Sequence, residues 1–487
     1  MTTIPISEPS AEPRFFGWRV VWAAFVLAIF GWGAGFYGPP VYLHAVVERR
    51  HWSLAFVSAA VTVHFLIGAV VVANLPALYR RYGVPKVTAA GAVSLALGVL
   101  GWALAREPWQ LVLATLPSGA GWVAMGAAAV NAIIAPWFAV KRPAALAMAY
   151  NGASIGGVVF SPLWVLLIER LGFATAAAAV GIAMVAVVGT LARGVFALTP
   201  ERLGQRQDGA AGLAARSVAA HGARPLPGRA LWKSPRFLTL AVGMALGLFA
   251  QIGLIAHLFS LLVPALGEQG AGLAMGGATA AAIGGRTLVG WLMPAGADRR
   301  LVASASYLVQ VAGSALLIAA AGADVPLLLL GVACFGLGIG NATSLPPLIA
   351  QVEFVREDVQ RAISLIVAIA QGSYAFAPAI FGAIRAFSPG AGSDVPLVFA
   401  AAAGVQLLAI GCFLVGRRRR ASRRRRGRNR RSRARGRGRP AGPGAAPAAP
   451  SPPCAAPRTC CRSGSRSRPS LECGRARVRA RCWNRAR

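Results

Sequence analysis

The sequence predicts an all-α polytopic membrane protein with twelve transmembrane helices in two six-helix bundles. Three observations predict it. Of the 487 residues, 56% are hydrophobic and only 13% charged, whereas soluble domains carry roughly 25% charged residues. The apolar residues fall into twelve runs of about 20 residues, the length that crosses a bilayer core as a helix. The basic residues of the body gather on alternate loops, as cytoplasmic loops of membrane proteins do.

Each run is bounded by charge, proline or glycine. The first, 19–41, lies between Arg19 and the Arg49-Arg50 pair, and the second, 54–78, ends at Arg80-Arg81. The third, 87–105, runs from Lys86 to Arg106, and the fourth, 109–132, follows Glu107 and stops before Lys141-Arg142. The fifth, 144–168, ends at Glu169-Arg170, and the sixth, 173–198, runs from Gly172 to Pro200. The seventh, 237–262, opens after Arg236 and closes before Pro264; the eighth, 270–293, spans from Glu268 to Pro294. The ninth, 301–321, follows Arg299-Arg300, and the tenth, 325–349, starts after Asp324 and ends short of Glu353. The eleventh, 362–384, sits between Arg361 and Arg385, and the last, 395–415, between Asp394 and Arg417.

With both termini cytoplasmic, 19 Lys and Arg fall on the inner side and five on the outer. A missing span would scramble this bias, so the sequence places a multi-pass chain in the cell's inner (plasma) membrane. The expected organisation is an N-terminal segment 1–14, a first bundle 15–198, a cytoplasmic loop 199–235, a second bundle 236–416 and a tail 417–487. Residues 1–14 are polar and the first apolar run is too long for a cleavable signal peptide.

The formal charge of +35 invites a nucleic-acid-binding reading, but 25 of the 50 Lys and Arg lie in 417–487, which holds one acid, Glu472. The body is only mildly basic, and no specific nucleic acid partner is expected. The tail is too poor in apolar residues to bury a core. Its composition fits either a segment that attracts anionic lipid or out-of-frame translation of a GC-rich gene. Cys334 and Cys412 lie in apolar runs, the other five cysteines lie in the tail, and no spacing suits a metal. His44, His51 and His221 are dispersed, so neither an enzymatic cluster nor a cofactor is expected.

Arg286 lies inside the eighth span, about four residues to the cytoplasmic side of its midpoint. A guanidinium at that depth costs at least ~2.5–3.5 kcal/mol, so such residues face a cavity and mark a pathway. No span holds an Asp or Glu at depth, which points to an anionic rather than a cationic substrate. His64 and His257, in the second and seventh spans, are the candidates for coupling to a co-transported proton. Of the polar residues within spans, Tyr37, Asn131, Gln251 and Tyr374 are the candidates for substrate contact. Gly152-x-x-x-Gly156 and Gly336-x-x-x-Gly340 place small residues where helices cross closely.

The layout resembles the major facilitator superfamily over roughly 15–416. Within it, Gly17-Trp18-Arg19-Val20-Val21, then Gly31-Trp32-Gly33-Ala34-Gly35-Phe36-Tyr37, is similar to bacterial relatives of the monocarboxylate transporters. So is the fifth-span stretch from Arg142-Pro143-Ala144 through Asn151-Gly152-Ala153-Ser154 to Pro162. The resemblance implies alternating access around a central site, a monomer in the lipid bilayer, and a small-molecule substrate, an organic anion. It implies that Arg286 binds the substrate carboxylate, a task that suits the planar donor fork of Arg. Efflux of amphipathic drugs by the same fold is the alternative. Departures are visible too. The family's loop after span two usually runs Gly, three residues, Asp-Arg; here Pro76 and Arg80 stand at the Gly and Asp positions. A cytoplasmic gate is therefore expected from Arg80, Asp298, Glu353 and Arg361. The first span lacks the lysine common in monocarboxylate carriers, and Ala282 replaces an Asp one turn before Arg286.

Overall fold

The computed structural model describes residues 15–208, 228–294, 297–354, 356–387 and 395–417. The expected segment 1–14, residues 209–227 of the central loop and the tail from 418 lie outside the described residues. Among the described residues, eleven helices are long and apolar enough to cross a membrane. One, Pro235–Leu292, has 58 residues. Straight, it would be about 87 Å long at ~1.5 Å per residue, far beyond a bilayer core of ~30 Å. It folds back at Gly267, whose φ of 69° is left-handed and suits a residue with no Cβ. Twelve crossings result, as the hydropathy predicts.

We label them α1 (Gly17–Arg50), α2 (Leu54–Tyr82), α3 (Val84–Leu104), α4 (Pro108–Ile134), α5 (Arg142–Leu171), α6 (Phe173–Phe196), the limbs α7 (235–266) and α8 (268–292), α9 (Arg299–Ala319), α10 (Val325–Glu353), α11 (Arg361–Ala386) and α12 (Pro396–Arg417). The side holding Phe15 and the α2–α3, α4–α5, α6–α7, α8–α9 and α10–α11 connections is the near face; the opposite side is the far face. Helix α1 runs nine residues past its expected end at Val41. That extension buries Leu43, Ala45 and Val46 and stacks the His44 ring edge-on to Phe259 of α7.

The helix pairings of the first bundle recur six helices later. Contacts α1–α5, α2–α4, α3–α4 and α3–α6 return as α7–α11, α8–α10, α9–α10 and α9–α12. Small residues permit the closest crossings. Gly152 and Gly156 of α5 lie on the carbonyls of Phe25 and Ile29 in α1, and Gly336 and Gly340 of α10 lie on those of Ala278 and Ala282 in α8. Any Cβ at these four positions would press into neighbouring backbone.

Between the bundles, the described contacts gather toward the far face. There α1 packs on α7, α2 on α11 and α5 on α8. The hydroxyl of Thr62 in α2 accepts the backbone N–H of Ala379, in the segment Ala377–Ala386 that follows a break in α11 after Tyr374, at 3.0 Å, and His44 approaches Glu268 at 3.7 Å. No described hydrogen bond or ion pair joins the bundles at the near face. The protein is thus closed on its far side.

The near face is braced within each bundle instead. The first residues of the central loop do not hang free: Gln205 accepts the N–H of Phe16 at 2.9 Å and Gln207 donates to the carbonyl of Ala135 at 2.8 Å. The Asp208 carboxylate accepts the N–H groups of Ala139, Val140 and Lys141 just ahead of α5. An acid suits the positive end of a helix. Residues 199–208 thereby form a strap under the first bundle, which apolar periodicity alone does not reveal.

Candidate functional site

The site begins with a break in α1. Helix Gly17–Gly35 stops and Gly38–Arg50 resumes because Pro39 and Pro40 lack the N–H groups that would bond the carbonyls of Gly35 and Phe36. In a membrane such orphaned carbonyls must be met by protein. Three side chains serve the last carbonyls of the first segment, the freed Gly35 among them. Trp164 Nε1 of α5 donates to Gly33 at 3.2 Å, the Tyr42 hydroxyl to Ala34 at 3.1 Å, and His64 Nε2 of α2 to Gly35 at 3.0 Å. The N–H of Tyr37 reaches back to Trp32 at 2.8 Å in a widened turn, and its buried side chain is set toward the second bundle.

There Tyr37 meets α8. Its hydroxyl lies close to the Thr279 side chain and within electrostatic reach of Arg286. Gly157 of α5 faces both Tyr37 and Thr279. Thr279 stands seven residues before Arg286, two turns along one face of the helix. Arg286 Nε donates to the carbonyl of Gly340 in α10 at 3.1 Å, which fixes the stem, while no described residue engages the terminal nitrogens of its fork. The next residue, Asn341, is buried; its amide nitrogen is 3.4 Å from the Gly285 carbonyl and its oxygen has no partner among the described residues. Residues from α1, α5, α8 and α10 thus meet around Arg286.

The other residues singled out in the sequence are placed as follows. Tyr374, at the break in α11, sets its ring edge-on to Phe65 of α2 at 6.0 Å, midway between the bundles. Asn131 of α4 is 2.5 Å from the Tyr150 hydroxyl of α5, within the first bundle. Gln251 faces elsewhere: its oxygen takes a 3.5 Å bond from Gln310 of α9, which in turn accepts from Gln406 of α12 at 2.8 Å. This glutamine chain knits the second bundle and does not join Arg286.

His64 is fully engaged. A carbonyl can only accept, so Nε2 carries the proton and Nδ1 accepts from Ser118 at 2.8 Å. His257 donates from Nε2 to Pro378 of α11 at 3.0 Å, and its buried Nδ1 lacks a partner among the described residues. The four expected gate residues are not brought together. Glu353 holds Arg300 through two bonds of 2.7 and 2.8 Å, and Asp298 holds Arg417 at 2.5 Å. Both pairs lie inside the second bundle, while Arg80 and Arg361 are exposed. Thr279 was missed from sequence because a hydroxyl in an apolar run gives no signal of its own; its spacing from Arg286 was the available clue.

Comparison with known proteins agrees with this architecture. The Aspyridones efflux protein of Emericella nidulans is 29% identical over 203 residues, a match covering 41% of this chain and 41% of that protein, less than half its length. Among solved structures, the nucleoside transporter NupG superposes with a TM-score of 0.62 at 14% identity, covering 82% of this chain and 99% of that one. A bacterial homolog of the human lysosomal transporter Spinster, in an inward-facing and occupied conformation, gives 0.61 at 14% identity, covering 84% and 98%. These likenesses show the fold. The sequence profile of the Major Facilitator Superfamily matches residues 21–353, more than half of the chain, so this multi-pass membrane protein belongs to that superfamily and is a transporter rather than an enzyme.

Proposed function

We propose that the chain carries a small organic anion of the monocarboxylate type across the inner membrane by alternating access. The observation that carries this reading is the Arg286 fork, anchored by one nitrogen to Gly340, otherwise unengaged by described residues, and within electrostatic reach of Tyr37 of the opposite bundle. A carboxylate seated on the two terminal nitrogens would gain charge-assisted bonds. It would also bridge the bundles, because Tyr37 and Arg286 lie on different ones.

The basic loops assign the near face to the cytoplasm, with both termini there, and the far-side closure then corresponds to an inward-facing state. Both ring nitrogens of His64 are occupied in packing, so a co-transported proton would travel on the substrate's own carboxyl group or through His257. His257 holds α11 through Nε2, and its Nδ1 has no partner among the described residues. The test is uptake of a panel of labelled monocarboxylates into proteoliposomes. Wild type is expected to take up at least one of them, and Arg286→Ala to lose that uptake while retaining its fold; equal uptake by the two would reject the role given to Arg286. Efflux is the second reading, favoured by the partial match to an efflux protein. Loading the anion inside the vesicles and following its exit decides the direction.

A further inference from the structure

A cavity of about 860 Å³ opens among the near-face ends of α1, α2, α3, α4 and α6 and the strap that follows α6. All its lining residues belong to the first bundle or the strap, and none to the second bundle, so it is separate from the Arg286 site. Lys86, Arg193 and Arg202 line it, and no Asp or Glu does. Arg202 gives one bond to the carbonyl of Ala197, while no described hydrogen bond or ion pair holds Lys86 or Arg193. The acid beside them, Glu201, is exposed and turned to Thr199. Tyr79 is also in the lining, and its hydroxyl is shielded from water without a partner among the described residues. The deeper wall is apolar, with Phe196 and Ile133, and Gly189 leaves open space where a side chain would stand.

Three cations over an apolar throat, at the level where helices leave the membrane, do not suit a small hydrophilic metabolite. Basic pockets between membrane helices on the cytoplasmic side hold anionic headgroups. We propose that this cavity binds an anionic phospholipid of the near-face leaflet, its phosphate held by Lys86, Arg193 and Arg202 and an acyl chain lying against Phe196 and the gap at Gly189. Because Arg202 and Thr199 lie on the strap, the lipid would also pin that segment to the bundle.

The full chain, purified and exchanged into phosphatidylcholine vesicles with a minor share of phosphatidylglycerol, provides the test. After a high-salt delipidating wash, the phosphatidylglycerol that stays bound is counted by native mass spectrometry. Wild type is expected to retain it in preference to phosphatidylcholine, and the triple variant K86Q/R193Q/R202Q to lose it by about fivefold per cation removed. Gly189→Leu keeps every charge, meets no neighbour at its Cβ and improves helix propensity. It is expected to lose the lipid as well, by filling the throat. The Arg-rich tail is identical in all these proteins, so lipid held by the tail would not respond to Gly189→Leu. Retention at the wild-type level by either variant overturns the proposal. Displacement of the lipid by inorganic phosphate at millimolar concentration would assign the site to a soluble phosphate compound and overturn the lipid assignment.

Discussion

Arg286 and His64 are the two polar side chains that hydropathy makes most conspicuous, and the structure gives them opposite roles. The Arg286 fork keeps donors in reserve. Arg286→Lys preserves the charge but not the planar pair of donors, so anion transport should fall by about 10- to 100-fold, as the loss of ~1.5–3 kcal/mol of charge-assisted bonding implies; initial rates in proteoliposomes measure it. His64 spends both nitrogens on Gly35 and Ser118. His64→Leu should lower stability by ~1–3 kcal/mol through the stranded Gly35 carbonyl, seen as a lower thermal midpoint. The pH profile of the remaining transport should keep its shape; a profile that flattened would show that His64 relays the proton after all. Arg286 was legible because a lone charge among apolar residues has few explanations. The Tyr37–Thr279 pairing was not, because sequence does not say which faces of α1 and α8 meet. Gln251 shows the same limit: a polar residue in a span does not announce whether it turns to the cavity or to a neighbouring helix.

Helix α1 shows how an element can be continuous in hydropathy and broken in space. Its apolar run has no gap, yet Pro39 and Pro40 strip backbone donors; His64 serves the freed Gly35 carbonyl, and Trp164 and Tyr42 serve those of Gly33 and Ala34 beside it. The prolines are visible in sequence; the three donors that make the break tolerable come from positions up to 131 residues away and are not. The small-residue motifs were more transparent, since four-residue spacing on a helix marks one face. Gly340 both admits α8 and offers its carbonyl to Arg286. Gly340→Val should push the helices apart, cost ~1–3 kcal/mol and lower transport together with stability. Thermal unfolding and uptake on one preparation check this; loss of transport at unchanged stability would separate the two roles.

For the whole molecule, twelve crossings and the two-bundle repeat were written in run length and loop charge. The side on which the bundles close was not, because each bundle's own apolar pattern is compatible with either state. Far-side closure rests on contacts such as Thr62 with Ala379. Cysteines at those two positions should be joined by a short bifunctional thiol reagent without added substrate, and the joined protein should stop transporting. Cross-linking that leaves turnover intact would show that the far side does not open during the cycle. The claim that binds the scales together is that the centre of the protein recognises negative charge. Its most direct test is counterflow in proteoliposomes with a carboxylate and its neutral amide of nearly the same shape. Exchange of the carboxylate but not the amide, abolished in Arg286→Ala, is the expected result. Exchange of the amide at the rate of the carboxylate would contradict it.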